Sequence, residues 1–180
     1  MPPNKVEDLD EVGAVAAQLD LLGLTPILVG GMALVLLGSR RVTYDYDFIV
    51  SHPADRMKAM VGAFYDRGFE LAARVNDEGE VTATIDNRVV ASARLRIDAP
   101  ASVYFVNPNT RLRIDLLFDF PVAAATLAER ATRSKVQSHV FHVASEADLL
   151  KLKRIAQAQR SEPGDAQDIA FLEARLRRQT

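Results

Sequence analysis

The chain contains no cysteine among its 180 residues. This absence excludes disulfide bonds, a thiolate nucleophile and a zinc site built on cysteine ligands. The first residues, MPPNKVEDLDE, are acidic and lack the apolar core of a secretory signal. Both features are typical of a cytoplasmic protein, and we expect this chain to be one.

Long apolar runs are absent as well. The longest covers residues 27–37, is interrupted by Gly30 and Gly31, and is far shorter than the roughly 20 residues that a membrane-spanning helix needs. We therefore expect no membrane partner. The formal net charge of −2 argues against broad, nonspecific binding of nucleic acid, because that binding depends on many contacts to phosphates.

Apolar periodicity and turn residues predict a mixed α/β (α+β) protein, because early strands alternate with helices while later strands follow one another. The last two helices should form an antiparallel hairpin, so we divide the chain into a core of residues 1–144 and a docked hairpin of residues 145–180. The predicted helices cover residues 9–22, 32–37, 53–67, 121–132, 145–160 and 165–178. The predicted strands cover residues 26–29, 45–50, 80–85, 90–97, 103–106, 112–118 and 135–143.

Two aspartates lie one residue apart on the second predicted strand. Side chains on a strand alternate between its faces, so Asp45 and Asp47 share one face while Tyr44, Tyr46 and Phe48 take the other and can be buried. Neighbouring carboxylates repel each other unless a cation neutralises them. Oxygen ligands at this spacing suit Mg²⁺, which typically takes one or two carboxylates and leaves its other positions to water and phosphates.

A glycine pair, Gly30–Gly31, stands between a short apolar strand and a helix. The free N–H groups and the positive end of such a helix can hold a phosphate. The pair is equally consistent with a tight turn that has no ligand. Taken together with Asp45 and Asp47, it indicates chemistry on a nucleoside triphosphate.

A third acid, Asp115, lies within the apolar strand at residues 112–118. A carboxylate in such surroundings needs a partner or a cation. If this strand lies beside the strand of Asp45 and Asp47, the three acids form one cluster, and the third can activate an incoming hydroxyl group. The alternative is a buried ion pair of Asp115 with Arg113 or another base. Asp119, at the end of the strand, better suits a turn or a cap.

These residues together resemble the nucleotidyltransferase fold superfamily, which includes polymerase-β-like enzymes and aminoglycoside nucleotidyltransferases. The wider stretch GGMALVLLGSRRVTYDYDFIV resembles the minimal nucleotidyltransferases of the AbiEii toxin type. Members of that group share a lysine, an arginine and two aspartates on consecutive C-terminal helices. In this chain, Lys153, Arg160, Asp165 and Asp168 occupy those positions.

The resemblance implies a fold and a set of roles. The fold is a nucleotidyltransferase-type mixed sheet with packed helices. Asp45, Asp47 and Asp115 are the catalytic acids and the ligands of Mg²⁺, with Mn²⁺ as an alternative metal. Contacts to the nucleotide, ATP or another nucleoside triphosphate, are implied for a further set of residues: Gly30, Gly31, Arg41, Thr43, Lys153 and Arg160.

Several of these residues have simpler explanations that the sequence leaves open. Lys153 and Arg160 can equally lie on the solvent face of an amphipathic helix. Asp165 and Asp168 stand in a first helical turn, where acids are favoured by the helix dipole, and this explanation is preferred for them. Arg41 can simply serve the C-terminal end of the preceding helix.

The implied reaction transfers a nucleoside monophosphate to an acceptor hydroxyl group and releases pyrophosphate. By the toxin resemblance the acceptor is tRNA or a protein, and a toxin would have a cognate antitoxin as partner. A local basic patch for RNA would use Arg130, Arg133, Lys135, Lys151, Lys153, Arg154 and Arg160. The alternatives are transfer to a small molecule such as an aminoglycoside, which predicts an acidic cleft, or an inactive relative that binds a nucleotide or a partner.

Overall fold

The computed structural model describes residues 5–160 and 162–180. A mixed α/β architecture is confirmed, with helices packed against one continuous sheet. The helices are α1 (Lys5–Leu21), α2 (Gly30–Leu36), α3 (Met57–Tyr65), α4 (Arg88–Asp98), α5 (Ala124–Ala128), α6 (Glu146–Gln159) and α7 (Pro163–Gln179). A short 3₁₀ turn, Ala54–Arg56, leads into α3.

Eight strands form the sheet, in the order β4-β3-β5-β6-β2-β1-β8-β7. They are β1 (Ile27–Val29), β2 (Tyr46–Val50), β3 (Glu70–Val75), β4 (Val81–Ile85), β5 (Ser102–Val106), β6 (Arg113–Phe118), β7 (Thr132–Val136) and β8 (His139–Val143). Neighbouring strands are antiparallel except for two pairs, β2 with β6 and β1 with β8, which are parallel.

The centre of the sheet is its most apolar part. Phe48, Ile49, Ile114 and Leu116 on β2 and β6 are almost completely buried, as is typical of strands that are covered on both faces. Helix α2 packs against β1 and β2, and α1 packs against β8. Because these central strands are well covered, polar residues placed on them are held in a defined arrangement.

The strand predicted at residues 90–97 is wrong, because this segment belongs to helix α4. The side chain of Asn87 caps the helix by accepting hydrogen bonds from the backbone N–H groups of Val89 (2.9 Å) and Val90 (3.2 Å). Ala91 and Leu95 are one helical turn apart, and both are buried. Val90 and Ile97, the β-branched residues of the predicted strand, are exposed, so the capping residue and the i, i+4 apolar pair decide the structure.

Other sequence predictions also need correction. The single strand at residues 135–143 is a hairpin of β7 and β8, and the helix predicted at residues 121–132 shortens to α5. Strand β3 was not predicted as a separate strand. Tyr44 is 54% exposed, because β2 begins only at Tyr46.

The last two helices form the predicted antiparallel pair. Ser145 caps α6, accepting a hydrogen bond from the backbone N–H of Asp148 at 3.1 Å, as the sequence indicates. Glu146 at the start of α6 binds Arg175 near the end of α7 at 2.8 Å, so the helices run in opposite directions. The division of the chain at residue 144 stays a prediction. In the described ranges, no helix has the length and apolarity to cross a bilayer.

Candidate active site

Gly30 stands where β1 passes directly into α2. Its φ of +68° lies in the left-handed region that favours glycine. A methyl group at this position would overlap the carboxylate of Asp47 and lie 2.9 Å from its Cγ, because Val29 and Asp47 are paired between the antiparallel strands β1 and β2. The first glycine of the pair therefore makes room for the Asp47 side chain at the start of the helix.

Gly31 is approached closely by the loop that precedes β2. An added methyl group would lie 3.0 Å from Thr43 Oγ1 and 3.2 Å from Arg41 Cζ and Nε, closer than such contacts normally come. The structure thus places Gly31, Arg41 and Thr43 together at the first turn of α2. Four of the predicted nucleotide-binding residues meet here, since Gly30 is the neighbour of Gly31.

Asp115 lies directly beside Asp47, because the parallel strands β2 and β6 pair these two residues in register. Arg113 binds the Asp115 carboxylate through two hydrogen bonds of 2.7 and 3.0 Å. Its guanidinium group also stacks on the ring of Tyr104, 3.8 Å from the centroid, and donates to the carbonyl oxygen of Gly79 at 2.8 Å. Both sequence interpretations of Asp115 therefore apply: it adjoins the acid pair and it is held by Arg113.

The acid cluster shifts the protonation of its members. Burial, followed by the neighbouring charges of Asp115 and Asp45, raises the pKa of Asp47 from 3.8 to about 7, although Lys153 acts in the opposite direction. Burial also raises the pKa of Asp115, while its hydrogen bonds to Arg113 oppose that rise. Such raised values mark a site where a cation would relieve repulsion between carboxylates.

The donor set fits a hard divalent cation that completes its shell with other ligands. Among the described residues, no group of three histidine, aspartate or glutamate side chains could hold a metal ion, and Asp115 is turned toward Arg113. Asp45 is exposed and Asp47 is partly buried. A cation between them would need water or phosphate oxygens as further ligands, and Mg²⁺ usually binds in that way.

Lys153 does not lie on a solvent face. Its ammonium group is in contact with two carboxylates of α7, Asp165 at 3.3 Å and Asp168 at 2.8 Å, and its side chain is only 11% exposed. Asp168 also binds Arg41. Asp165 lies in the first turn of α7, where the helix dipole favours acids. Both aspartates are also buried and paired with Lys153.

Arg160 lies at the C-terminal end of α6 and is exposed. Its guanidinium group contacts Glu162 at 3.2 Å and lies 3.9 Å from Asp165. Asp165 Oδ2 has no hydrogen-bond partner. Arg160 is therefore at the edge of the buried charges and is held less firmly than Lys153.

All of the predicted site residues line one cleft of about 480 Å³. Its walls come from the α2 start, the loop before β2, strands β2, β5 and β6, and helices α6 and α7. Sequence reasoning missed Tyr104, Phe120 and Gln159, which also line this cleft. The alternation of β5 places Tyr104 opposite Asp115, but that pairing cannot be read from local sequence. The predicted residues that line the cleft are Gly30, Gly31, Arg41, Thr43, Asp45, Asp47, Asp115, Lys153 and Arg160.

The residues suggested for a basic RNA patch are largely engaged in ion pairs. Arg130 binds Asp148 at 2.7 Å, and Arg154 binds Glu173 at 2.8 Å. Lys153 and Arg160 are paired as described above. These contacts neutralise much of the positive charge that the sequence suggested for that patch.

Comparison with known proteins shows the fold through structure alone. No protein-family model and no curated protein matches the chain. The antibiotic-resistance factor ANT(2'')-Ia in complex with adenylyl-2''-tobramycin is similar over 94% of this chain and 90% of its own, with a TM-score of 0.59 and 11% identity. Its solution structure gives a TM-score of 0.57 over 94% of this chain and 84% of its own, again at 11% identity.

A second similar protein is the lincosamide antibiotic adenylyltransferase LnuA bound to lincomycin. The TM-score is 0.55 at 13% identity, over 91% of this chain and 95% of LnuA. These matches extend over nearly the whole chain. This chain therefore has the nucleotidyltransferase fold, which the resemblance of its motifs predicts.

Proposed function

We propose that this protein is a nucleotidyltransferase that moves a nucleoside monophosphate from a nucleoside triphosphate to an acceptor hydroxyl group. The observation that carries the proposal is the meeting of Asp45, Asp47 and Asp115 in one cleft with the glycine pair of α2. The raised pKa of Asp47 supports a role as a cation ligand. The fold shared with adenylyltransferases supports the same class of reaction.

In the proposed reaction, the acceptor oxygen forms a bond to the α-phosphorus while the bond from that phosphorus to the bridging oxygen of the β-phosphate breaks. Pyrophosphate leaves with the electron pair of that bond. The acceptor proton passes to a carboxylate, and Asp115, beside Asp47, is our candidate. Arg113 fixes the orientation of Asp115 through its two hydrogen bonds.

Asp45 and Asp47 would hold Mg²⁺, or Mn²⁺ as an alternative, which when bound neutralises the negative charge of carboxylates and phosphates. Lys153, Arg41 and Arg160 supply positive charge for the triphosphate. Thr43 and the first turn of α2 offer polar groups beside it.

The charge of the cleft favours an acceptor that is not strongly cationic. Apart from Asp45 and Asp47, the carboxylates that line the described cleft each have a basic partner: Asp115 with Arg113, Asp165 with Lys153, and Glu162 with Arg160. A polycationic antibiotic would need unpaired acids beyond those that hold the metal. We therefore infer an acceptor hydroxyl on tRNA or protein, in agreement with the AbiEii-type resemblance, which would make the chain the toxin of a toxin–antitoxin pair.

Structural similarity to two antibiotic-modifying proteins supports one alternative, transfer to a small molecule. The two acceptor classes are separated by a single experiment. The purified protein is incubated with Mg²⁺, each α-labelled nucleoside triphosphate in turn, and a cell extract, and labelled RNA, protein and small molecules are then separated. We expect label on RNA or protein, whereas label on a small molecule alone would contradict the macromolecular acceptor.

The control for this experiment compares two double variants that each remove two carboxylates, one pair inside the cleft and one pair outside it. The variant Asp45→Ala/Asp47→Ala should lose transfer, whereas Glu11→Ala/Asp20→Ala, which alters two exposed acids of α1 outside the cleft, should keep it. No transfer by the folded wild type to any fraction would contradict the enzyme and favour a binding module. Equal transfer by both variants would place the reaction elsewhere on the protein.

A further inference from the structure

A buried ion-pair cluster joins three separate segments behind the cleft. Asp168 on α7 accepts a hydrogen bond from Arg41, in the loop before β2, and forms an ion pair with Lys153 on α6 at 2.8 Å. Asp165, one turn earlier on α7, contacts Lys153 at 3.3 Å. Asp165 and Asp168 are only 2% and 3% exposed. The carboxylate of Asp168 is therefore the common anchor of two cations that line the cleft.

The path of Arg41 shows how closely this anchor is built into the site. Its guanidinium group lies beside Gly31 at the start of α2, where an added methyl group would be 3.2 Å from Cζ. At its other side it passes Gly164 at the start of α7, where a methyl group would be 3.8 Å from Nη2. The guanidinium group of Arg41 thus lies between two glycines where it reaches Asp168.

The cations keep hydrogen-bond donors for a ligand. A lysine ammonium group has three N–H donors and an arginine guanidinium group has five. Lys153 donates one hydrogen bond to Asp165 and forms an ion pair with Asp168, and Arg41 uses one nitrogen on Asp168. Because both residues also line the cleft, the carboxylates orient the cations and leave donors available on the cleft side.

We propose that Asp168 is a positioning residue that holds Lys153 and Arg41 in place to bind the phosphate oxygens of the nucleotide. This inference rests on the proposed function. It assigns to Asp168, which does not itself line the cleft, an effect on nucleotide affinity exerted through its two partners. It also couples helix α7 to the loop that carries Asp45 and leads into the strand of Asp47.

The test compares two buried aspartates that are each bound by an arginine. Asp168→Asn removes the anchor, whereas Asp148→Asn removes the partner of Arg130, which donates to Asp148 at 2.7 and 3.1 Å outside the cleft. Both substitutions keep the size of the side chain and both should lower the midpoint of thermal unfolding. Only Asp168→Asn should weaken binding of the Mg²⁺ complexes of uncleavable α,β-methylene nucleotides in calorimetric titration.

We expect Kd to rise about tenfold in Asp168→Asn, the size expected when one charge-assisted hydrogen bond is lost, and to stay at the wild-type value in Asp148→Asn. Asp168→Glu, which restores the charge, should recover part of the affinity. Unchanged Kd in a folded Asp168→Asn protein would overturn the positioning role alone. Failure of the wild type to bind any of the nucleotides would overturn the proposed function and this inference with it.

A second measurement needs no nucleotide. Side-chain ¹⁵N relaxation of Arg41 should report an ordered guanidinium group in the wild type and in Asp148→Asn, and a mobile one in Asp168→Asn. Equal order of Arg41 in all of these proteins would contradict the anchor. A purely structural role of Asp168 predicts lower stability without this change in Arg41 and without a change in Kd.

Discussion

Replacing Asp47 by asparagine should change how the stability of the protein depends on pH. Burial and the charges of Asp115 and Asp45 raise the pKa of Asp47 from 3.8 to about 7 in the folded protein. The folded state therefore holds a proton that the unfolded chain has already lost between these two values. Stability from this group is fully present below the lower value and is lost as the pH rises through the upper one.

The size of this effect follows from the difference between the two pKa values, 3.8 and about 7. Each unit corresponds to about 1.4 kcal/mol, so the free energy of unfolding should fall by at most about 4 kcal/mol between about pH 4 and pH 8 because of Asp47. Asparagine has nearly the same shape and carries no charge. At about pH 4 the variant and the wild type should be similarly stable, and at about pH 8 the variant should be the more stable protein.

Urea unfolding at both pH values measures this difference directly, with Asp20→Asn, an exposed substitution on α1, as the control. Millimolar Mg²⁺ should stabilise the wild type at about pH 8, because a ligand that binds only the folded state adds to stability, and should have little effect on Asp47→Asn. Parallel pH profiles of the wild type and Asp47→Asn would refute the reasoning, since they would show that Asp47 does not carry an unfavourable buried charge.

Two further substitutions test other parts of the account. Gly30→Ala should displace the Asp47 carboxylate and abolish transfer. The control is Gly38→Ala, which is also at positive φ (+96°) but has no atom within 4 Å of the added methyl group, and it should lower stability and keep activity. Equal activity in both variants would contradict the steric role of Gly30. Asn87→Ala should lower the free energy of unfolding by about 1 kcal/mol, because it removes the N-terminal cap of α4; a change near zero in chemical denaturation would contradict the cap.

Local pattern was enough to find the elements that carry the site. The apolar strand before Gly30, the alternation around Asp47 and the cap at Ser145 are all short-range features, and the structure has each of them. The pairing of Asp47 with Asp115 is different in kind. It depends on the parallel register of two strands that are far apart in the chain. The sequence could therefore say only that the acids meet if these two strands are neighbours in the sheet.

The sequence predictions were wrong or incomplete where tertiary packing overrides the local preference of the residues. The valines of α4 favour strands by propensity, but tertiary packing buries Ala91 and Leu95 instead and leaves Val89 and Val90 exposed. Asp165 and Asp168 lie near the start of α7, where the helix dipole favours acids, and the sequence did not show that they are buried. Their burial follows only from the docking of α7 beside Lys153 and Arg41, which no local pattern reveals.

The central claim is that the cleft transfers the nucleotidyl group, and the position of a radioactive label tests it most directly. The purified protein, Mg²⁺ and cell extract are incubated in parallel with α-labelled and γ-labelled nucleoside triphosphate, for the wild type and for Asp45→Ala/Asp47→Ala. We predict acceptor labelling from the α position only, release of the γ label as pyrophosphate, and neither event with the variant. Labelling of the acceptor from the γ position would show phosphoryl transfer and contradict the account.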